Sequence, residues 1–330
     1  MLGIDLGSNT LRAVKMSENL EKLEEYEFVI GAARNLTQSG MIGKEAIERL
    51  KNALKELGKK HDLSQAKAVA TAAFRKASNT NLIFNELEEE FDIRFILISP
   101  QTEAKLSVLG MKSGLLALNL HKEFGFCDLG GASCELSFRK NFLSFDFGII
   151  SFYEKFKYQK KGKCLKTLPH FKTKDKKLQI QTLIKDEKLR SLTFKAFEEV
   201  KDIKRALKAQ RIKRVVLNSG VPTTLGAFKL GLAYKNYDAK KVNGMRIFTW
   251  DFLKFALRLW YMREDEAEFW VGKMRKNYLI GGALLLFALF DKEELIIIDE
   301  GLREGVCVAH FQAFKAHFLF SSSHKDKNSP

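Results

Sequence analysis

Two acidic residues stand where phosphate chemistry could be done. Each closes an apolar run and is followed by a glycine turn with hydroxyls: Gly3-Ile4-Asp5-Leu6-Gly7-Ser8-Asn9-Thr10 and Cys127-Asp128-Leu129-Gly130-Gly131-Ala132-Ser133. Glycine lets backbone N–H groups approach and point at phosphate oxygens, because no Cβ intervenes. An aspartate beside such a turn repels phosphate directly, but it can hold a divalent cation that bridges to it. A third turn, Asn218-Ser219-Gly220-Val221-Pro222-Thr223-Thr224, follows the apolar run Ile212 to Leu217. Three loops of this kind can surround a phosphate chain, and the first two predict related halves closing on one polyanion.

The elements that must position these turns alternate between strand and helix, which predicts an α/β fold. Short strands are expected at Gly3 to Asp5, Leu11 to Met16, Ala66 to Thr71, Ile93 to Ile98, Ile212 to Leu217 and Leu295 to Ile298. Cys134, Leu136 and Phe138 alternate with Ser133, Glu135 and Ser137, the pattern of a half-buried strand. Lys44 to Lys60 places Ile47, Leu50, Leu54 and Leu57 on one helical face, and Leu82, Leu87 and Phe91 suggest a second helix. Ser99-Pro100 opens a third, with Ser as N-cap and Pro in the first turn, running through Glu103 towards Leu118. The apolar run Tyr278 to Phe290 is too short to span a bilayer and reads as a buried helix.

A length of 330 residues accommodates two domains. A formal charge of +16 favours an anionic partner, although a lysine-rich coding bias gives the same sum. Cys127, Cys134, Cys164 and Cys307 show no C-x-x-C spacing, which argues against zinc and for free thiols in a reducing cytoplasm. No leader is read ahead of the first strand. Lys155 to Lys177 is lysine-dense with few apolar anchors, which fits a solvated insertion or a polyanion guide near the cleft.

With these loops in place, the sequence resembles the Ppx/GppA phosphatase family, the exopolyphosphatases and guanosine pentaphosphate phosphohydrolases of the actin-like ATPase superfamily. The matching segments are Ile4-Asp5-Leu6-Gly7-Ser8-Asn9, Thr71-Ala72-Ala73-Phe74-Arg75-Lys76-Ala77-Ser78-Asn79, Ile98-Ser99-Pro100-Gln101-Thr102-Glu103-Ala104 and Asp128-Leu129-Gly130-Gly131-Ala132-Ser133-Cys134-Glu135. Thr223-Thr224-Leu225, Tyr237-Asp238, Val242-Asn243-Gly244 and Gly301-Leu302-Arg303-Glu304-Gly305 follow in the family's order.

The resemblance implies a two-lobed actin-like ATPase (ribonuclease H-like) fold with the active site in the interdomain cleft. The first lobe is expected over 1–117, with a return of the last helix (near 306–320) to it left open. The second is expected over 122–305 with the basic insertion at 155–177, and 321–330 as a disordered tail. The implied reaction is removal of a terminal phosphate from a linear phosphoanhydride by water, with inorganic polyphosphate or pppGpp as substrate, in the cytoplasm and in the setting of the stringent response. Glu103 is the family's general base by position, and the first turn of a helix favours its ionised form. Asp128 is implied as catalytic. Asp128, Glu135 and Asp5 are implied to hold Mg²⁺ or another divalent cation. Substrate contacts are expected from Gly7, Ser8, Asn9, Arg12, Arg75, Gly130, Gly131, Ser133, Ser219, Gly220, Thr223 and Arg275, the arginines because a guanidinium matches phosphate bidentately and keeps its charge. Arg303 and Glu304 read as structural, packing the last helix onto the second lobe.

The sequence departs from the family's pattern at several places. Val221 and Pro222 stand where successive glycines are usual, and Pro222 removes an N–H donor. Ala132 replaces a glycine, Asn243 a common His and Asn277 a common Asp. The family's longer relatives add a C-terminal HD-type domain; the short form favours nucleotide or short-chain substrates. An alternative of another class is a non-catalytic sensor of (p)ppGpp or polyphosphate on the same fold; a sugar or carboxylate kinase is a third. No membrane partner is expected, nucleic acid is not the expected ligand, and a homodimer is compatible with the sequence.

Overall fold

The computed structural model describes residues 1–157 and 180–322. The basic stretch 155–177 therefore lies almost wholly outside the described residues, as does the expected tail beyond residue 322. Two mixed sheets dominate. The first has the order β3-β2-β1-β4-β5, built from β1 (Leu2–Leu6), β2 (Thr10–Met16), β3 (Lys22–Val29), β4 (Lys67–Ala70) and β5 (Phe95–Leu97). The second has the order β10-β11-β9-β6-β7-β8, built from β6 (Gly125–Leu129), β7 (Cys134–Phe138), β8 (Asn141–Phe145), β9 (Arg214–Asn218), β10 (Arg246–Ile247) and β11 (Glu294–Ile297).

The two sheets follow one plan. An antiparallel meander (β1-β2-β3, β6-β7-β8) is extended by strands parallel to its first member, β4 then β5 in one sheet and β9 then β11 in the other. Parallel strands need long crossovers, which the helices supply. This is a two-lobed α/β architecture, as expected.

The sequence pattern holds for most elements. The Lys44–Gly58 helix buries Leu50, Leu54 and Leu57, and Ile47 lies half-buried on the same face. In the Thr80–Phe91 helix the buried face is Ile83 and Leu87, while Leu82 points to solvent. The strand expected over 93–98 is only β5, at the sheet edge, with Ile96 and Leu97 exposed. The Lys276–Leu289 helix is buried from Leu279 to Leu289, against the Thr249–Tyr261, Glu187–Glu199 and Ile149–Lys157 helices. An all-apolar surface is what a helix surrounded by others requires. No described helix is long and apolar enough to cross a membrane.

One expectation is corrected. β7 is buried on both faces, not half-buried. The Pro100–Ala117 helix lies across β6, β7 and β8, and Val108, Met111 and Leu115 pack on Phe126, Val216 and Ile296. Glu135 and Ser137 share the face of β7 that this helix covers. The helix also packs against the Leu302–Ser322 helix, which in turn lies on β1 and β2. Two crossed helices thus stand between the sheets, and the first carries Glu103 to the second lobe's turn.

Its start is fixed as the sequence indicated: the Ser99 hydroxyl accepts from the Thr102 N–H at 3.2 Å, and Pro100 takes the first position. Ser99→Ala is expected to cost about 1 kcal/mol of stability, read as a lower urea midpoint at unchanged slope; an unchanged midpoint would show that the cap is dispensable.

Candidate active-site cleft

A cleft opens between the lobes. Both glycine turns close identically, Gly7 N–H donating to the Thr10 carbonyl at 2.9 Å and Gly130 N–H to that of Ser133 at 3.0 Å. They meet at the floor: a Cβ on Gly131 would lie 2.6 Å from Cβ of Ser8, so that position admits only glycine without displacement. Lys76 with Asp146, and the Asn35 N–H with Glu154, tie the rims together.

The two hairpins are equivalent in backbone and opposite in charge. Asp5 pairs across β1–β2 with Arg12, whereas Asp128 pairs across β6–β7 with Glu135. The first hairpin therefore offers a carboxylate beside a guanidinium. The second offers two carboxylates on one face, which is the arrangement a cation seeks.

Glu103 lies almost fully buried opposite them and accepts a hydrogen bond from Arg75 Nη1 at 2.7 Å; the same nitrogen donates to the Ile98 carbonyl at 2.9 Å. Burial pushes the Glu103 carboxyl up, and Arg75 opposes this. Burial and the neighbouring Glu103 raise Asp128 to about 7, although Ser107 Oγ donates to its Oδ2 at 3.2 Å. Burial raises Asp5 to about 8, with Arg12 opposing and Glu103 and Asp128 reinforcing. Glu135 is pushed well above the usual range by burial and by the same two acids, despite the bond from Ser144 Oγ at 2.9 Å.

Four carboxyl groups thus crowd a site in which Arg75 and Arg12 offset only part of the charge. Oδ1 of Asp5 is buried with no hydrogen-bond partner. Among the described residues no three acidic, His or Cys side chains form a closed cage for an ion. Mg²⁺ keeps several waters and is bound through one or two carboxylates plus substrate phosphates, a demand that the paired Asp128 and Glu135 can meet. The donor set therefore fits a divalent cation held mainly from the second hairpin.

A stability prediction follows. Carboxyl groups raised in the folded state bind more protons there than in the unfolded chain, so their contribution is lost as pH rises. The window runs from the ordinary value of 3.8 to about 7 for Asp128 and to about 8 for Asp5. In chelator, Tm of the parent should fall more between pH 5 and 8 than that of Asp128→Asn, and Mg²⁺ at pH 8 should restore much of the loss. Equal slopes for parent and variant would contradict this.

The cleft gathers Asp5, Gly7, Ser8, Asn9, Arg12, Glu103, Asp128, Gly130, Gly131, Ser133, Glu135, Ser219, Gly220 and Arg275 on its walls. Two expected contacts stand elsewhere. Arg75 lies behind Glu103 rather than on the wall. Thr223 turns its hydroxyl to the Ser219 carbonyl at 2.8 Å and lines an adjoining cavity. The third turn enters its helix directly: Ser219 has φ of 134° and the helix begins at Gly220. Pro222 thus sits in the first turn, where a free N–H would otherwise face an anion.

Sequence reasoning missed Asn218 and Asp299, and placed Arg303 and Glu304, read as structural, against the second lobe. All four line the cleft. Asn218 Nδ2 donates to the carbonyls of Ile298 and Asp299. Arg303 binds Glu304, Asp299 and, from the first sheet, Glu25. The pair therefore joins both lobes, because its helix packs on β1 and β2 rather than on the second sheet. The Gly-Leu-Arg-Glu-Gly motif carried a signal, but nothing in sequence located Glu25 beside it. Asn243 holds the same loop, donating to Glu300 at 2.9 and 3.0 Å and accepting from the Asp299 N–H at 2.6 Å.

Comparison with known proteins agrees with the motif reading. Residues 18–167 match the model of the Ppx/GppA phosphatase family. Among solved structures, an exopolyphosphatase-like protein is 22% identical with a TM-score of 0.75, covering 95% of this chain and 99% of its own. A Ppx/GppA family member from Aquifex aeolicus is 23% identical with a TM-score of 0.63, covering 99% and 98%. An exopolyphosphatase from Cytophaga hutchinsonii is 18% identical with a TM-score of 0.70, covering 94% and 97%. At these identities the structural likeness shows the fold. No curated protein matches the sequence.

Proposed function

We propose, on the premise of this likeness to the Ppx/GppA phosphatase family, that the protein is a phosphohydrolase that releases the terminal phosphate of a linear phosphoanhydride, inorganic polyphosphate or pppGpp. The observation that carries the reading is the position of Glu103. It faces Asp128 across the cleft and is held by Arg75 from behind, at the place where a water attacking a phosphate bound between the two turns would lose its proton. A pure binding site has no use for a buried carboxylate there.

The residues divide the work. The N–H groups at Ser8–Asn9 and Gly131–Ser133, beyond the two that close the turns, receive the non-bridging oxygens of the terminal phosphate, with the Ser8 and Ser133 hydroxyls beside them. Glu103 accepts the proton of the attacking water, and its raised carboxyl suits a base working near neutrality. Arg75 orients that carboxylate and keeps enough of it ionised. Asp128 and Glu135, with Asp5 through water, would hold the divalent cation, which would neutralise charge on the phosphate oxygens. Arg12 and Arg275 take the remaining anionic part of the substrate. Closure between the lobes excludes bulk water.

The test is phosphate release with Mg²⁺ from pppGpp, short and long polyphosphate, and ATP. Release from the first three and not from ATP is expected; release from none would overturn the proposal. One observation favours a sensor instead, the donor lost at Pro222. Calorimetric binding of ppGpp without release of phosphate from any substrate would establish that reading.

A further inference from the structure

Four arginines stand at or behind the cleft, and they are held in two different ways. Arg75 donates to Glu103 and to a carbonyl. Arg303 donates to Glu304, Glu25 and Asp299 at 2.6, 3.0 and 3.1 Å. Each of these two is tied by aligned hydrogen bonds of 3.1 Å or less. Arg12 and Arg275 instead share one carboxylate. Glu27 Oε2 lies 3.0 Å from Arg12 Nε, and its Oε1 lies 3.4 Å from Arg275 Nη1.

That carboxylate holds them loosely. Arg12 Nε is buried and has no aligned hydrogen bond despite the short contact. The Arg275 contact is longer than the 2.7–2.9 Å usual for a charge-assisted bond. Arg275 Nη2 also donates to Thr224 Oγ1 at 3.3 Å and its guanidinium lies over the Tyr234 ring, but these partners are neutral, and among the described residues Glu27 is the one carboxylate at ion-pair distance from either guanidinium. Both converge on the third turn: a Cβ on Gly220 would stand 2.9 Å from Nη2 of Arg275 and 3.7 Å from Nη2 of Arg12.

Glu27 also stands at a boundary. It faces Arg12 on the neighbouring strand of the first sheet, while Arg275 precedes the Lys276–Leu289 helix of the second lobe. Arg12 and Arg275 line the cleft. Glu27 and Arg275 line an adjoining cavity. A ligand that extends from the turns towards this cavity meets the two arginines with a carboxylate already between them.

We infer that Glu27 is a specificity-determining residue: an internal carboxylate that occupies Arg12 and Arg275 until a ligand anion displaces it. The inference rests on the phosphoanhydride reading and adds a selection rule to it. A chain of phosphates brings enough charge to take both arginines and displace Glu27. Orthophosphate, the small product, does not, and leaves. The opposite role, a carboxylate that merely holds the arginines in place for the ligand, makes the opposite prediction for its removal.

The test is calorimetric, with Mg²⁺, orthophosphate and a methylene-bridged tripolyphosphate that cannot be hydrolysed. In Glu27→Gln, orthophosphate should bind roughly tenfold more tightly, because a nearby like charge is removed at low effective dielectric. The tripolyphosphate analogue should gain less, so discrimination between the two narrows. Affinities that are unchanged or weaker in the variant overturn the inference. Glu27→Gln leaves Arg12 facing Arg275, so the variant should also melt lower without anion and gain more Tm on adding the analogue than the parent does. If it does not fold, Glu27→Asp, too short to reach both arginines, is expected to show the same direction, and an unchanged ratio there overturns the inference equally. A parent that binds the analogue while the variants behave like it refutes the role of Glu27 alone. A parent that neither binds the analogue nor releases phosphate from any substrate refutes the phosphohydrolase reading and this rule with it.

Discussion

Glu103→Gln is expected to lower kcat for phosphate release by roughly 10²–10⁴, the usual worth of a general base, with little change in substrate affinity. The substitution is close to isosteric. The amide oxygen can still accept from Arg75 Nη1, which donates to Glu103 at 2.7 Å, so the wall of the cleft keeps its shape while the proton acceptor is lost. If Glu103 only complemented the positive end of its helix, the variant would melt slightly lower and turn over normally; equal release by variant and parent would remove the base from the mechanism. Arg75→Met separates orientation from ionisation. Arg75 pulls the Glu103 carboxyl down against burial. Without it the carboxyl rises further, less of the base is ionised at a given pH, and the acid limb of kcat/KM must move to higher pH. A profile unmoved by this change would mean that the base titrating in it is another group.

The turns and the general-base helix were legible in the sequence because each is local. Asp-x-Gly after an apolar run, Ser99 before Pro100, and the spacing of Leu50, Leu54 and Leu57 state their own geometry. What was illegible depends on which face a distant element covers. β7 reads as half-buried because its alternation is real, but the Pro100–Ala117 helix covers its polar face and so buries Glu135. The same covering raises the carboxyl groups around Glu135, a property no spacing rule contains. The surroundings of Arg303 were the least legible. Its partners Glu25, Asp299 and Glu304 come from two lobes, and only the first is remote enough in sequence to reveal that the last helix lies on the first sheet. Arg12 and Arg275 were both chosen as anion contacts, yet the carboxylate between them, Glu27, sits in a strand that the apolar pattern did not mark at all.

Gly110→Ala and Gly305→Ala are expected to be the most damaging single substitutions in the scaffold, each costing about 3 kcal/mol or more, at or beyond the upper end for overpacking. The Pro100–Ala117 and Leu302–Ser322 helices cross with backbone against backbone. A Cβ on Gly110 would lie 1.9 Å from the Gly301 carbonyl oxygen, and a Cβ on Gly305 1.9 Å from that of Leu106. Neither obstacle is the end of a flexible side chain, so relief requires the helices to part. Parting them lifts Glu103, two turns before Gly110, away from Asp128, so kcat should fall together with stability. Gly58→Ala supplies the contrast. There the nearest foreign atom to an added Cβ is Leu63 Cδ1 at 3.6 Å, and the position ends a helix, where alanine is favoured over glycine by up to about 1 kcal/mol. The same chemical change should thus stabilise at one site and destabilise strongly at the other, read as opposite shifts in urea midpoint. Unchanged stability of Gly110→Ala would mean that the helices are not in backbone contact, and the placement of Glu103 opposite Asp128 would lose the element that fixes it.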